Sequence, residues 1–307
     1  MQQDRIRGLV AATHTPFHED GSLNLAAVEL QAAHLLRTRI TAAFISGTTG
    51  ECHSLTLAER LSLTDKWTAV ARGTPLRVVV HVGSNCLEDA RALAASAERC
   101  GASAIAALAP SYFRPQTLED LVAWCARIAE AAPGTPFYYY DIPSMTGVHF
   151  PMTDFLDHAA GRIPVLAGIK FSNPDLAMFQ RCLHLSGGTF DVLWGVDEYL
   201  LAALALGGQG AVGSTYNFAA PLYHRMIEAF HRGDMQTARA EQYRSVELIT
   251  LLESYGFMGS SKALMKMLGV NVGPARPPQG NLSADQLRRL SDELGKCGFF
   301  EWTAASA

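Results

Sequence analysis

Short apolar or β-branched runs alternate with longer amphipathic stretches along most of the chain. The short runs read as strands at Leu9–Thr13, Ala42–Ser46, Arg77–Val82, Ala104–Ala109, Phe137–Tyr140, Val165–Phe171, Val192–Gly195 and Ala211–Ser214. The stretches between them carry helical spacing; Leu118, Leu121, Val122, Cys125 and Ile128, for example, fall on one helical face. Start signals accompany them. Thr56 with Glu59 and Ser283 with Gln286 make capping-box patterns. Asn173 before Pro174 places a cap residue ahead of a proline at the first helical position. Repeated strand–helix units imply a parallel sheet, and about eight of them suit a closed (β/α)8 barrel better than an open doubly wound sheet. After Asn217 the pattern is helical only, at Pro221–Arg232, Asp234–Ser254, Ser260–Leu268 and Ser283–Lys296. The expectation is an α/β chain with a (β/α)8 TIM barrel over residues 1–232 and a C-terminal helical extension over 233–307, packed on the barrel. Gly273 to Gly280, with three prolines, reads as a loop inside that extension.

Composition agrees with a large core: 49% of the 307 residues are hydrophobic and 18% charged. The 25 Lys+Arg against 29 Asp+Glu, a formal charge of -4, argue against a nucleic-acid partner, which needs a basic face. Met1 to Arg7 is polar and the apolar stretch after it soon meets His14 and Pro16, so neither a signal peptide nor a membrane span is read there. The longest apolar run, Leu200 to Leu206, ends in Gly207-Gly208 and reads as a buried helix. Cys52, Cys86, Cys100, Cys125, Cys182 and Cys297 show no paired spacing, which suggests reduced, mostly buried thiols in a cytoplasmic protein.

Active sites of such barrels lie at the C-terminal ends of the strands, so the residues there decide the chemistry. Lysine is scarce: Lys66, Lys170, Lys262, Lys266 and Lys296 are all of them, and only Lys170 falls in a strand. Flanked by Ile169 and Phe171, it is expected to point into the barrel. Burial disfavours a charged ammonium in general, and a neutral amine is what attacks a ketone. A lysine snorkelling from a strand end, or paired with a carboxylate, fits the same pattern. The second strand runs into Gly47-Thr48-Thr49-Gly50-Glu51, whose amides and hydroxyls can converge on an anion such as a carboxylate. Taken alone, the pentapeptide is an ordinary glycine-rich connection. In Tyr138-Tyr139-Tyr140, alternation puts Tyr138 and Tyr140 on one face, where a phenol aimed inward can shuttle a proton or simply pack. Gly208-Gln209-Gly210-Ala211-Val212-Gly213 matches a dinucleotide glycine spacing, but a helix precedes it and a strand follows, the reverse of what that site needs. The ten histidines are scattered, without His-Glu-x-x-His; His14 and His81 occupy strands and could face the barrel. No metal is expected.

Together these segments resemble the N-acetylneuraminate lyase and dihydrodipicolinate synthase superfamily of class I aldolases, over nearly the whole chain. The resemblance rests on Gly47-Thr48-Thr49-Gly50-Glu51, Tyr140-Asp141-Ile142-Pro143-Ser144-Met145-Thr146-Gly147, Gly168-Ile169-Lys170 and Gly213-Ser214-Thr215-Tyr216-Asn217, in this order and each at a strand end. Within the superfamily the chain looks most like the sialic acid lyases, particularly the animal-type branch, through Gly168-Ile169-Lys170-Phe171-Ser172, Gly195-Val196-Asp197-Glu198 and Gly213-Ser214-Thr215-Tyr216-Asn217. Dihydrodipicolinate synthases normally carry arginine where this chain has Met145, which cannot form a bidentate ion pair with a dicarboxylate. Asp141 departs from the histidine or asparagine usual in sialic acid lyases and leaves the sugar acid open.

The resemblance implies a Schiff base on Lys170, with Tyr140 as proton shuttle and Thr48 and Thr49 on the pyruvate carboxylate. It implies sugar contacts from Ser172, Gly195, Asp197, Glu198, Gly213 and Ser214. It further implies a homotetramer, with Ala109–Phe113 near a subunit contact and Tyr112 presented to a neighbouring site. No cofactor, nucleic-acid partner or membrane partner is expected; the partner is a small 2-keto sugar acid. The expected activity is cleavage of N-acetylneuraminate to pyruvate and N-acetylmannosamine. Another pyruvate aldolase or dehydratase acting on a different 2-keto-3-deoxy acid, or a barrel that binds without turnover, stand as alternatives.

Overall fold

The computed structural model describes residues 5–303; the first residues of the polar opening segment, Met1 to Asp4, lie outside them. Eight strands, β1 (Gly8–Ala12), β2 (Ala42–Ile45), β3 (Arg77–His81), β4 (Ala104–Leu108), β5 (Phe137–Asp141), β6 (Leu166–Phe171), β7 (Asp191–Trp194) and β8 (Gly210–Gly213), form a closed barrel in chain order. Every neighbouring pair is parallel, and β1 closes the ring on β8 with Val10 opposite Val212. Around it run α1 (Ala27–Arg37), α2 (Leu57–Ala71), α3 (Leu87–Arg99), α4 (Leu118–Ala129), α5 (Pro143–Thr146), α6 (Met152–Ala160), α7 (Leu176–His184), α8 (Leu200–Ala205) and α9 (Tyr216–His231). The chain continues as α10 (Met235–Ser254), α11 (Phe257–Met267), α12 (Ala284–Lys296) and α13 (Phe299–Thr303). Among the described residues no helix is long and apolar enough to cross a membrane.

Strand alternation sorts the core into two layers. Val10, Phe44, Val79, Tyr138, Tyr140 and Leu193 fill the barrel interior. Leu9, Ala43, Val80, Tyr139, Ile169 and Trp194 pack outward against the helices. The three tyrosines divide as the alternation predicts. Tyr138 and Tyr140 face inward, while Tyr139 lies against Phe155 at 4.5 Å between ring centroids.

Both expected capping boxes form, Thr56 with Glu59 and Ser283 with Gln286. A third, Thr117 with Asp120, escaped the pattern because Asp replaces the usual Glu or Gln. Asn173 does not cap α7. Its Oδ1 accepts from the Asp175 amide at 3.1 Å, a local turn that delays the helix, and Asp175 takes the cap by accepting from the Met178 amide at 2.9 Å. The helix expected from Pro221 begins five residues earlier, at Tyr216; Pro221 sits inside it, and the backbone departs from helical geometry at Ala219. The apolar run at Leu200 is α8, which ends at Gly207 (φ +103°) before β8, so the glycine-rich segment links helix to strand as read. His14 falls beyond β1, and its Nε2 pairs with Ser261 Oγ of α11 at 2.9 Å rather than facing the barrel chemistry. All six cysteines are free, but only Cys52, Cys125 and Cys182 are buried, fewer than expected.

The C-terminal helices reach back to the barrel mouth. Lys262 of α11 is buried and its ammonium contacts Glu51 Oε1 at 2.6 Å, the Thr15 carbonyl at 2.9 Å and the Pro274 carbonyl at 2.8 Å. Arg276 follows in the next loop. Its amide donates to Glu51 Oε2 at 2.8 Å, and its guanidinium engages Glu59 and the Gly21 and Ser54 carbonyls.

Candidate active site

β5 and β6 pair in a register that sets Tyr140 directly beside Lys170. Each stands one residue before its strand ends, and parallel neighbours on one face lie about 4.8 Å apart. The two side chains are therefore brought together by backbone geometry alone. Lys170 Nζ lies 3.7 Å from the Tyr140 ring centroid and 4.3 Å from that of Phe44. The lysine is only 4% exposed. Its surroundings are aromatic faces, and the Tyr140 ring is braced edge-on by Phe44 and His81, each centred 5.7 Å away. Burial, reinforced by the nearby Arg60 guanidinium, holds the His81 imidazole well below its usual range, so His81 stands there neutral.

Above the lysine opens a cavity of about 490 Å³. Thr48 and Thr49 line it from the β2 loop, Ser172 from β6, Gly195, Asp197 and Glu198 from β7, and Gly213 and Ser214 from β8. The predicted residues are thus gathered around one space, apart from Tyr112. Thr48 Oγ1 is 3.2 Å from the Tyr140 hydroxyl, and Thr49 Oγ1 is 2.6 Å from Ser214 Oγ. Gly195 and Gly213 also make room. A Cβ on Gly195 would meet Ser172 Oγ at 2.1 Å, and one on Gly213 would meet Asp197 Oδ1 at 2.0 Å. Asp197 is already engaged: its Oδ2 accepts from the Thr215 amide at 3.0 Å and the Thr215 hydroxyl at 2.6 Å. Burial raises its carboxyl above the usual range against the pull of these hydrogen bonds. Glu198 is raised by burial and then by the negative charges of Asp197 and Glu253.

Tyr112 does not line this cavity. It is 80% exposed, with its ring T-shaped against Phe113 at 4.9 Å. Met145 stands on α5, 62% exposed, and borders a neighbouring space of about 180 Å³ that shares Thr48. Sequence reasoning missed Phe44, although alternation along β2 would have turned it inward. It also missed Ile249, Glu253 and Phe257, which reach the cavity from α10 and α11. No local motif announces those three, because their place depends on how the C-terminal helices pack.

Asp141 points away from the cavity, into the layer between β5 and α7. It is 2% exposed, lies near Tyr139 and Cys182, and accepts a hydrogen bond from Asn173 Nδ2 at 3.2 Å. Burial pushes its carboxyl up to about 7, with Asn173 pulling weakly the other way. Between about pH 4 and 7 the folded state holds this proton more tightly than the unfolded state, so stability falls as pH rises through that window. Asp141→Asn is expected to stabilise the fold by about 2–3 kcal/mol above pH 7 and to change little at pH 4. Urea unfolding at the two pH values checks this; an equal effect at both would refute it.

Among the described residues no three His, Cys, Asp or Glu side chains gather so as to hold a metal ion. Fold and cavity together define an aldolase-type (β/α)8 barrel. The chain belongs to the dihydrodipicolinate synthetase family, which matches residues 5–296. It is 41% identical to N-acetylneuraminate lyase A of Xenopus laevis over 277 residues, 89% of this chain and 90% of the relative. Among solved structures it resembles the N-acetylneuraminate lyase of Proteus mirabilis, with a TM-score of 0.94 and 38% identity, covering 96% of this chain and 100% of that one. The sialic acid aldolase of Aliivibrio salmonicida gives a TM-score of 0.93, also at 38% identity, over 96% of this chain and 98% of that one.

Proposed function

We propose that this chain is a class I aldolase that cleaves N-acetylneuraminate to pyruvate and N-acetylmannosamine through a Schiff base on Lys170. The observation that carries the reading is a buried lysine whose amine rests on the Tyr140 ring, at the base of a cavity lined by hydroxyls and carboxylates. The names of the relatives support the choice of sugar acid. Lys170 Nζ attacks the C2 ketone and water leaves, giving an iminium that withdraws electrons. Loss of the C4 hydroxyl proton breaks the C3–C4 bond and releases N-acetylmannosamine as the aldehyde. The remaining enamine takes a proton at C3, and water then frees pyruvate and the lysine. No cofactor enters the sequence.

Tyr140 moves the protons, being 3.2 Å from Thr48 Oγ1 and over the amine. Thr48 and Thr49 hold the carboxylate. Ser172, Ser214, Glu198 and Asp197 meet the polyol and N-acetyl groups, with Gly195 and Gly213 exposing backbone to the same end. Because Asp141 faces the helix layer, its charge does not argue against this substrate. Pyruvate release from N-acetylneuraminate and a panel of shorter 2-keto-3-deoxy acids tests the assignment. N-acetylneuraminate is expected to lead in kcat/KM by at least tenfold, about 1.4 kcal/mol of transition-state binding. A shorter acid leading by that margin would leave only the aldolase class standing. With Met145 in place of a carboxylate reader, condensation of pyruvate with aspartate semialdehyde is not expected.

The assembly proposed is a homotetramer in the cytoplasm. Exposed Tyr112 and Phe113, 80% and 85% accessible, are large aromatics suited to a subunit contact near a neighbouring cavity. Free cysteines suit a reducing compartment. Light scattering should give four chain masses; a monomer at working concentration would remove both the contact and the shared role of Tyr112.

A further inference from the structure

The cavity is electrically lopsided. Its lining holds a single cation, Lys170 at the base, and three carboxylates, Asp197, Glu198 and Glu253. Asp197 is tied to Thr215, but Glu198 and Glu253 have no ion pair among the described residues. Glu253 comes from the last turn of α10, one helical turn beyond Ile249, which lines the same cavity. An acidic residue there opposes the helix dipole, whose carboxyl end is already negative, and that turn carries no basic residue to offset it. Helix stability therefore does not account for Glu253. Glu198, half-buried, lines the same cavity as Glu253; burial raises its carboxyl first, and the charges of Asp197 and Glu253 add to that.

We infer that Glu253 and Glu198 form a negative collar at the outer end of the Lys170 cavity, which admits a neutral hydroxyl-bearing tail and rejects one ending in an anion. The inference rests on the proposed aldolase reading and extends it to a specificity residue from α10. Along this axis the field points a singly charged 2-keto acid the right way round, with its carboxylate toward the lysine end and its polyol toward the collar. A tail ending in phosphate meets two carboxylates, the half-buried Glu198 and the exposed Glu253, and like charges this close to a protein surface still interact at an effective dielectric below that of water. Part of the collar is exposed, so salt weakens the discrimination.

The test compares two substrates that differ only in tail charge: N-acetylneuraminate and the same acid carrying phosphate on its terminal hydroxyl. The ratio of kcat/KM for the phosphorylated over the neutral acid should rise about fivefold in Glu253→Gln, a size set by like-charge repulsion at partial exposure. Glu253→Asp should stay near the parent ratio, and the rise should shrink at high salt. Glu247→Gln, on an exposed part of α10 away from the cavity, should leave the ratio unchanged. An unchanged ratio in Glu253→Gln, or an equal rise in Glu247→Gln, overturns the collar. Calorimetric binding of the same pair reads the discrimination even without turnover. Loss of cleavage with discrimination intact therefore counts against the aldolase reading, and cleavage without discrimination counts against the collar.

Discussion

Lys170→Ala abolishes pyruvate release and borohydride trapping of a pyruvate adduct, while the protein still folds. The loss in kcat should be at least about 10⁴-fold, on the order of 5.5 kcal/mol, because the covalent route disappears with its nucleophile. Two lysines in this chain are buried, and their surroundings separate them. Lys262 has three acceptors for its three ammonium hydrogens: Glu51, the Thr15 carbonyl and the Pro274 carbonyl. An amine so engaged is not presented to a substrate: it lies off the cavity lining, although burial holds it below the usual lysine range against the pull of Glu51. Lys170 has no hydrogen-bond acceptor among the described residues and rests between two ring faces, at the floor of the cavity. Removing it deletes no ion pair, which is why the fold is expected to survive. Circular dichroism and a thermal melt of the variant check that half of the expectation, and mass mapping of the trapped adduct in the parent checks the other. An adduct on Lys262, or on any lysine besides Lys170, would refute the assignment.

The barrel was legible because its signals are local and repeat. Each strand is a short apolar run and each helix has its own spacing, so about eight units could be counted without knowing how they meet. The strand-end residues were legible for the same reason: in a barrel, lying at or just past the C-terminal end of a strand places Thr48, Tyr140, Lys170 and Ser214 at one mouth whatever their distance in sequence. What failed to show was whatever depends on side-chain partnership across that distance. Asn173 looked like a cap, yet its carbonyl oxygen serves the Asp175 amide and its amide serves Asp141. Asp141 looked like a departure that left the sugar acid open, but strand alternation places it with Tyr139 on the outer face, a reading available from the same rule that sorted the tyrosines. Glu253 and Phe257 carry no motif, since only the return of α10 and α11 to the mouth makes them part of the cavity. Lys262 was set aside as a helical lysine, although it is 2% exposed.

That burial makes Lys262→Met the second large expected effect, this time on stability. Glu51 closes the loop that carries Thr48 and Thr49, in a left-handed backbone conformation (φ +56°) that a non-glycine residue adopts at a cost. Lys262 and the Arg276 amide hold its carboxylate there, and Thr15 Oγ1 donates to the Gly50 carbonyl at 2.7 Å from the other side. Without the ammonium, Glu51 keeps a buried negative charge with one amide for a partner. Breaking one side of such a pair costs about 3–5 kcal/mol, a fall in Tm on the order of 10 °C. The surviving protein should also hold pyruvate less tightly, because the two threonines sit on the loop that has lost its anchor. Glu51→Gln combined with Lys262→Met leaves no unpaired charge and should recover more than half of the lost stability, whereas pyruvate binding should stay weak if the ion pair itself positions the loop. Chemical denaturation of both single variants and the double variant gives the coupling energy directly. Coupling below about 1 kcal/mol, or single variants as stable as the parent, would show that the pair is dispensable and that the loop is held by its backbone contacts alone.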